Sequence, residues 1–513
     1  MSNVSENNAR LARNTAYLYV RMFVTMIVSL YTSRIVLQVL GASDFGLYNV
    51  VGGIVFVFSV INDTLVLGTE RFLNYAMGEN DFLKLKKTFS IALTIHIVAS
   101  LIILLLAETL GLWFLNSKIN IPPGRETAAF WVYQFSVVMF ILNLIQIPFN
   151  GSIIAHEQMN VFAIMSVFDA VMKLLIVILL QFLVYDKLIL FAGLMLMIGL
   201  ISMLIYNIYC HRNYAECRWH LMWDRKLAAQ ILTYSGWNMF GAGVSFATGQ
   251  GINILLNIFC GTVVNAARAI SVTVSWFVGK FAINVQTAVN PQLIKMYAAG
   301  EYDKMYRLTV NSCRVNAYIF LSVAIPLAIE MEYVLRLWLG EYPENTVIFS
   351  RIALVQMFLY VLDRPLIVHI NAAGKMKMPN LTDSVALLMA LPISYFVLKL
   401  GYGPVAVCWV NALIWLCDNF FSVYWPNKYT GIPVKMVLKE VYANVFIGGT
   451  IMLLVPYIVS HTMADGLLQF LVVGLVSVVT SFSVVYLWGM TKGMRKAFVR
   501  NRLKSEECQI VNR

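Results

Sequence analysis

Residues 188–210 read LILFAGLMLMIGLISMLIYNIYC, an apolar run that contains no Asp, Glu, Lys or Arg. Crossing the hydrocarbon core of a bilayer takes about 20 such residues in a helix, so this stretch is a transmembrane span. It does not stand alone. Comparable segments fall near 15–37, 45–76, 88–115, 127–150, 160–184 and 187–210 in the first part of the chain. They continue near 229–259, 263–289, 308–330, 347–370, 380–399, 402–425, 437–460 and 466–489. The chain is therefore expected to be an all-α polytopic membrane protein of about fourteen transmembrane helices. Its 513 residues are 60% hydrophobic and 12% charged, with a mean hydropathy of +0.74. A soluble domain carries roughly a quarter charged residues, and no polar stretch here is long enough to bury a core of its own.

The formal charge of +12 is explained by topology. With the N-terminus inside, the cytoplasmic loops hold Arg10, Arg13, Lys84, Lys86, Lys87, Arg212, Arg218, Arg225 and Lys226. Lys295, Lys304, Arg307, Lys375, Lys377, Lys428 and Lys435 follow, and the tail adds Lys492, Arg495, Lys496, Arg500, Arg502 and Lys504. The outer loops hold little beyond Lys118, Arg125, Lys187, Arg336 and Lys399. This is the positive-inside pattern of a multi-pass protein of a bacterial inner membrane with both termini cytoplasmic. It leaves no reason to invoke nucleic acid. The run from Thr15 to about Leu40 is too long for a cleavable signal, and no outer loop is large enough for an extracytoplasmic catalytic domain. Seven cysteines show no metal or redox spacing, so neither a metal nor a cofactor is expected.

An internal repeat lies beneath the hydropathy. Gly78-Glu79-Asn80-Asp81 matches Gly300-Glu301-Tyr302-Asp303, Gly41 matches Gly261, and Pro148, Ala155 and Met159 match Pro365, Ala372 and Met376. The offsets are 222 (300 less 78), 220 (261 less 41) and 217 (365 less 148). They predict two homologous six-helix halves, residues 1–211 and 212–430, followed by residues 431–513 with helices 13 and 14 and a basic tail. Halves with an even helix count enter the membrane in the same sense, enclosing a cavity.

Ionisable groups at membrane depth are candidates for function, because burying them unpaired is costly. In the first span Arg21 shares a side with Asn14, Tyr17 and Thr25, and either faces a cavity or snorkels to headgroups. The second span aligns Asn49, Gly52, Asp63, Glu70 and Asn74. Asp63 is a cation or proton site or an arginine's partner, and Glu70 lies nearer the inner end. Asp169 and Lys173 stand at i,i+4, where they can neutralise each other. Arg268, Lys280 and Gln286 share one apolar segment with no acid beside them. Arg314, the Asp363-Arg364 pair, His369, Asp383 and Asp418 complete the set. Asp363-Arg364 reads as internally compensated, and Asp383 as a helix-end residue. The cation excess suits an anionic substrate, since guanidinium groups bind phosphate oxygens bidentately.

Several signatures are missing. There is no Gly-x-x-x-x-Gly-Lys-Ser/Thr phosphate loop, His156-Glu157 lacks the second histidine of a zinc protease, and no catalytic constellation occurs. Gly241-x-Gly243 and Gly249-x-Gly251 lie inside a span and read as close helix packing. An enzyme is not expected.

The segment Asn14-Thr15-Ala16-Tyr17-Leu18-Tyr19-Val20-Arg21 resembles the start of bacterial polysaccharide transporters. So do Tyr31-Thr32-Ser33-Arg34 and Asp44-Phe45-Gly46-Leu47-Tyr48-Asn49-Val50-Val51-Gly52-Gly53, and the likeness continues through Thr69-Glu70-Arg71-Phe72-Leu73-Asn74 and Ile147-Pro148-Phe149-Asn150. The resemblance is to the O-antigen and exopolysaccharide flippases of the MATE-like MOP superfamily. It implies a MATE-like fold and a cargo of undecaprenyl diphosphate carrying an oligosaccharide unit, moved from the cytoplasmic to the periplasmic face by alternating access. It implies contact with the diphosphate or sugar by Arg21, Arg268, Lys280, Arg314, Arg364, Asn49 and Gln286. Asp63, Glu70, Asp169 and Asp418 are the ion-coupling candidates. Partners would be the lipid-linked oligosaccharide, the bilayer and the polysaccharide polymerase machinery. A multidrug antiporter of the same superfamily is the alternative, and a membrane enzyme of glycan assembly a third reading.

Overall fold

In a computed structural model, residues 2–489 are described except 57–58, 119–120, 183–184, 219, 221 and 464–465. For some helical positions only the backbone is described, and Asn49, Gly52 and Arg34 are among these. No strand occurs among the described residues. The first helices are α1 (Ser2–Phe56), α2 (Ser59–Gly78), α3 (Phe82–Leu106), α4 (Leu112–Lys118), α5 (Glu126–Ala155), α6 (Met159–Leu180) and α7 (Lys187–Asn213). Next come α8 (Arg225–Cys260), α9 (Thr262–Ala298), α10 (Tyr302–Ile329), α11 (Met331–Leu339), α12 (Thr346–Ala373), α13 (Lys377–Lys399) and α14 (Pro404–Thr430). The chain continues with α15 (Val434–Val437), α16 (Asn444–His461) and α17 (Leu467–Val484).

Single π-turns join α3 to α4 and α15 to α16, so each pair forms one continuous rod. Among the described residues, twelve such rods are long and apolar enough to cross a membrane, from Phe82–Ser117 to Leu467–Trp488. The spans expected near 15–37 and 45–76 fall on α1 and α2, parts of which lie outside the described residues. With these two included, the fourteen-span reading holds.

The chain divides into two compact units, one of Leu11–Ala242 and one beginning at Gly243, so the change falls within α8. In the first, α5 packs on α7, α2 and α3, α2 packs on α3, and α6 on α7. In the second, α12 packs on α14, α9 and α10, α9 packs on α10, and α13 on α14. These are the same five pairings, element for element. Helices α16 and α17 pack on each other and on α10, outside the repeated set.

The turns repeat as well. Gly41 (φ 76°, ψ 168°) and Gly261 (φ 84°, ψ 178°) adopt the same backbone, a region open essentially to glycine alone. Asn80 (φ 56°) and Gly300 (φ 72°) are left-handed in the turns after α2 and α9, as are Glu157 (φ 57°) and Gly374 (φ 71°) after α5 and α12. The separations are 220 (261 less 41), 220 (300 less 80) and 217 (374 less 157). The register that opposed Gly78 to Gly300 is thereby corrected. Asn80 is the residue that occupies the left-handed position, because asparagine tolerates that conformation better than most side chains.

The glycine pairs are also corrected in part. A Cβ at Gly251 would press on Leu391, as close packing of α8 and α13 requires, but Gly243 and Gly249 face open space.

Candidate functional site

In the first unit the predicted residues scatter. Arg21 on α1 holds its guanidinium 4.7 Å from the centre of the Phe162 ring on α6. Asp63 is exposed on α2, where the Asn62 side-chain amide approaches its carboxylate at 3.5 Å. Glu70 lies half-buried one residue before Arg71, and its carbonyl accepts from the Asn74 side chain at 2.7 Å. Asp169 and Lys173 form an ion pair at 2.7 Å within one turn of α6, the arrangement their spacing permits. Asn49 lies outside the described side chains.

The second unit gathers more. On α9, Arg268 donates to the Gly249 carbonyl on α8 at 3.3 Å and to the Asn253 side chain. Lys280, three turns further along α9, is exposed, and no ion pair engages it among the described residues. Gln286 is buried, accepts from Asn316 on α10 at 2.8 Å and donates to Asn290. Arg314 is buried on α10, donates to Asn311 at 3.0 Å and stands 3.8 Å from Glu440, while its Nε has no partner among the described residues.

On α12, Arg364 donates to its neighbour Asp363 at 3.0 Å and lies 4.1 Å from the Tyr360 ring centre. Asp363 is fully buried, and its second oxygen accepts from Ser422 on α14 at 2.7 Å. Asp418, one turn before Ser422, is buried beside Asp363, Arg364 and Asp383 of α13. Two features bind this region together: Trp425 Nε1 donates to Thr382 at 3.0 Å, and Tyr442 donates to Asn419 at 3.2 Å. The cluster sits on three consecutive helices, α12, α13 and α14. Asp383, read from the sequence as a helix-end residue, lies within it.

Sequence reasoning missed three further arrangements. Arg71 is buried with its guanidinium 4.3 Å from Phe72, 5.3 Å from Tyr75 and 5.4 Å from Tyr234, an aromatic setting that favours a cation. Arg125, just ahead of α5, donates to Asp44 after the Gly41 turn and at 2.5 Å to Asp186, which caps α7. Burial works against the Arg125 charge, but the hydrogen bonds and fields of Asp44 and Asp186 outweigh it and raise its proton affinity. Glu216, buried just after α7, pairs with His156 at 2.6 Å, and the His156 ring stacks on Tyr214 with centres 4.0 Å apart. The signal for Arg125 was present as an Asp and an Arg at opposite ends of one outer surface. The other two depend on partners that no short window contains.

No family model matches the chain, and no curated protein matches it in sequence. Solved structures do. A MATE transporter in the bent conformation aligns with a TM-score of 0.70 at 12% identity, covering 83% of this chain and 96% of that one. A mutant of the Vibrio cholerae MATE transporter VcmN aligns at 0.65 with 15% identity, covering 83% and 98%. A MOP superfamily transporter from Pyrococcus furiosus, described as having a binding pocket of reverse polarity, aligns at 0.66 with 12% identity, covering 83% and 96%. The chain has the polytopic helical fold of the MATE transporters.

Proposed function

We propose that the protein is a membrane transporter that flips a lipid-linked oligosaccharide, an undecaprenyl diphosphate carrying one repeat unit, from the cytoplasmic to the periplasmic face of a bacterial inner membrane. The observation that carries this reading is the pair of cations on α9. Arg268 and Lys280 stand on a spanning helix with no carboxylate partner among the described residues. Cations kept at membrane depth without acids suit a diphosphate, and Arg21 is a further candidate contact by the resemblance. The halves 1–211 and 212–430 would alternate access, with 431–513 as an accessory, an ion gradient as the driving force and both termini cytoplasmic. The polysaccharide polymerase machinery would take up the product.

The test is replacement of Arg21, Arg268 and Lys280 by glutamine in cells depleted of the wild type. Surface polysaccharide should disappear and lipid-linked intermediates should accumulate on the cytoplasmic face. Normal polysaccharide from the triple variant would overturn the assignment. The buried acids of α12, α13 and α14 favour a second reading, a multidrug antiporter for cationic drugs. Drug-susceptibility profiles of deletion and overexpression strains separate the two.

A further inference from the structure

At the end of α14 and the start of α13, two lysines rest on aromatic rings. Lys428, in the last turn of α14, places its ammonium 5.0 Å from the centre of the Trp425 ring and 5.7 Å from that of Tyr424. Lys375, in the turn between α12 and α13, reaches to 5.1 Å from the Tyr429 ring. Trp425 and Tyr429 stack with centres 5.4 Å apart and planes 21° apart, so cations from two segments lean on one aromatic pair. Both lysines are exposed, and no ion pair engages either among the described residues.

A belt of interfacial aromatics with snorkelling lysines is the simpler account, and three observations go beyond it. Trp425 is only 8% exposed and its Nε1 donates to Thr382 of α13, so the ring is built into the helix pair. The segments that carry the lysines are pinned: Asn427 donates to the Ile432 carbonyl at 2.8 Å, and the Thr430 hydroxyl is bonded to His369 of α12 at 2.7 Å. The first unit repeats these helix ends at a separation of 217 (430 less 213) but not the patch. There Ile208 and Arg212 stand where Trp425 and Tyr429 do, and Gln158 where Lys375 does. The patch is therefore no by-product of the repeated fold. A ring face attracts a cation without neutralising it, so each ammonium keeps its charge and its donors for an anion. From Trp425 to Tyr429 the patch climbs about 6 Å along α14, the depth of one headgroup layer.

We propose that Lys375, Lys428 and the Trp425–Tyr429 pair form a binding site for the phosphate headgroup of an anionic inner-leaflet phospholipid such as phosphatidylglycerol. Basic pockets between spanning helices on the cytoplasmic side are suited to such headgroups. The two ammonium groups take the phosphate oxygens, and the rings hold them in place beforehand. The bound lipid ties the α12–α13 turn to the end of α14 only where the leaflet carries anionic lipid. The site rests on the proposed topology, which puts these helix ends in the cytoplasm, and not on the identity of the cargo.

The experiment is hydrogen exchange read by peptide mass spectrometry, on the full-length protein in nanodiscs of phosphatidylcholine alone or mixed in equal parts with phosphatidylglycerol. With the anionic lipid about tenfold above its dissociation constant, amides in 375–382 and 428–433 should exchange about tenfold more slowly than in phosphatidylcholine. The first-unit counterparts, 158–165 and 211–216, should not change. Lys375→Gln with Lys428→Gln should abolish the difference, and Lys375→Arg with Lys428→Arg should keep it. Both positions are exposed, so neither pair of changes threatens folding. Lys304→Gln, at a lysine already paired with Glu301, should leave the difference intact. The proposal is overturned if both membranes give the same exchange, if the glutamine pair keeps the protection, or if Lys304→Gln abolishes it. Equal protection of the first-unit counterparts would also overturn it, as the mark of a general surface potential. So would the same protection from inorganic pyrophosphate in phosphatidylcholine nanodiscs, since the ligand would then be a free anion or the cargo's diphosphate. The readout involves no transport. Its failure leaves the polysaccharide test untouched, and failure of the flippase reading leaves this site standing.

Discussion

Replacing Asp363 by alanine strips two partners at once. The Ser422 hydroxyl loses an acceptor at 2.7 Å, a neutral hydrogen bond worth about 1 kcal/mol. Arg364 loses a charge-assisted bond at 3.0 Å, worth about 1.5–3 kcal/mol, and is left as an unbalanced cation among α12, α13 and α14. Breaking a buried pair from one side costs about 3–5 kcal/mol. The Arg364 side chain retains 28% exposure and its contact with Tyr360, so the lower end of that range, about 3 kcal/mol, is expected. Removing both charges, as Asp363→Leu with Arg364→Met, should cost less than the single change, because nothing charged is stranded. Denaturant unfolding of the detergent-solubilised protein, followed by tryptophan fluorescence across Asp363→Leu, Arg364→Met and the double, should give a coupling energy of about 2 kcal/mol. If Asp363→Ala costs under about 1 kcal/mol, or the double variant is worse than the single, the pair is not an internally neutralised unit.

The twin turns give a second expectation: Gly41→Ala and Gly261→Ala should each destabilise by about 1–3 kcal/mol. Serine should cost the same as alanine at either position, because no atom lies within 4 Å of the added Cβ. A size-dependent cost in thermal melts would refute a purely backbone origin. Gly111→Ala should destabilise for the opposite reason, since its Cβ meets the Tyr133 hydroxyl; adding Tyr133→Phe should restore part of the loss even though the bond to the Ala107 carbonyl is given up. Ahead of α5, Arg125→Ala breaks the pairs to Asp44 and Asp186, whose side chains are 19% and 34% exposed. A loss of about 0.5–1 kcal/mol per pair is expected, fading as salt is raised, and melts at two ionic strengths check it.

Most of the fold was legible in the sequence because a bilayer imposes one dominant rule. Apolar length located the rods, loop lysines and arginines suggested their sense, and Gly41 and Gly261 marked equivalent turns that no other residue fills comfortably. The error at Gly78 has a plain cause: a left-handed asparagine stands in for glycine, so matching letters slipped the register by two. The candidate site was less legible because its contacts are long-range. Asp383 and Asp418 are 35 residues apart (418 less 383) on different helices, and neither lies on a periodic stripe with the other. The setting of Arg71 was not legible because Tyr234, which closes its aromatic surround, lies 163 positions downstream (234 less 71). Local pairs were readable: Asp169 and Lys173 meet within one turn as their spacing allows.

The placement of α16 and α17 carries a historical consequence. Five helix pairings recur within each unit, yet the last two spanning helices pack on α10 and have no counterpart on α3 among the described residues. An ornament present in one copy only was acquired after the copies parted, or lost from one of them. Either way, each six-helix set makes its own five pairings without it. A shortened gene ending near Thr430 therefore approximates an older machine, and what it can no longer carry would reveal what the extra pair was recruited to hold.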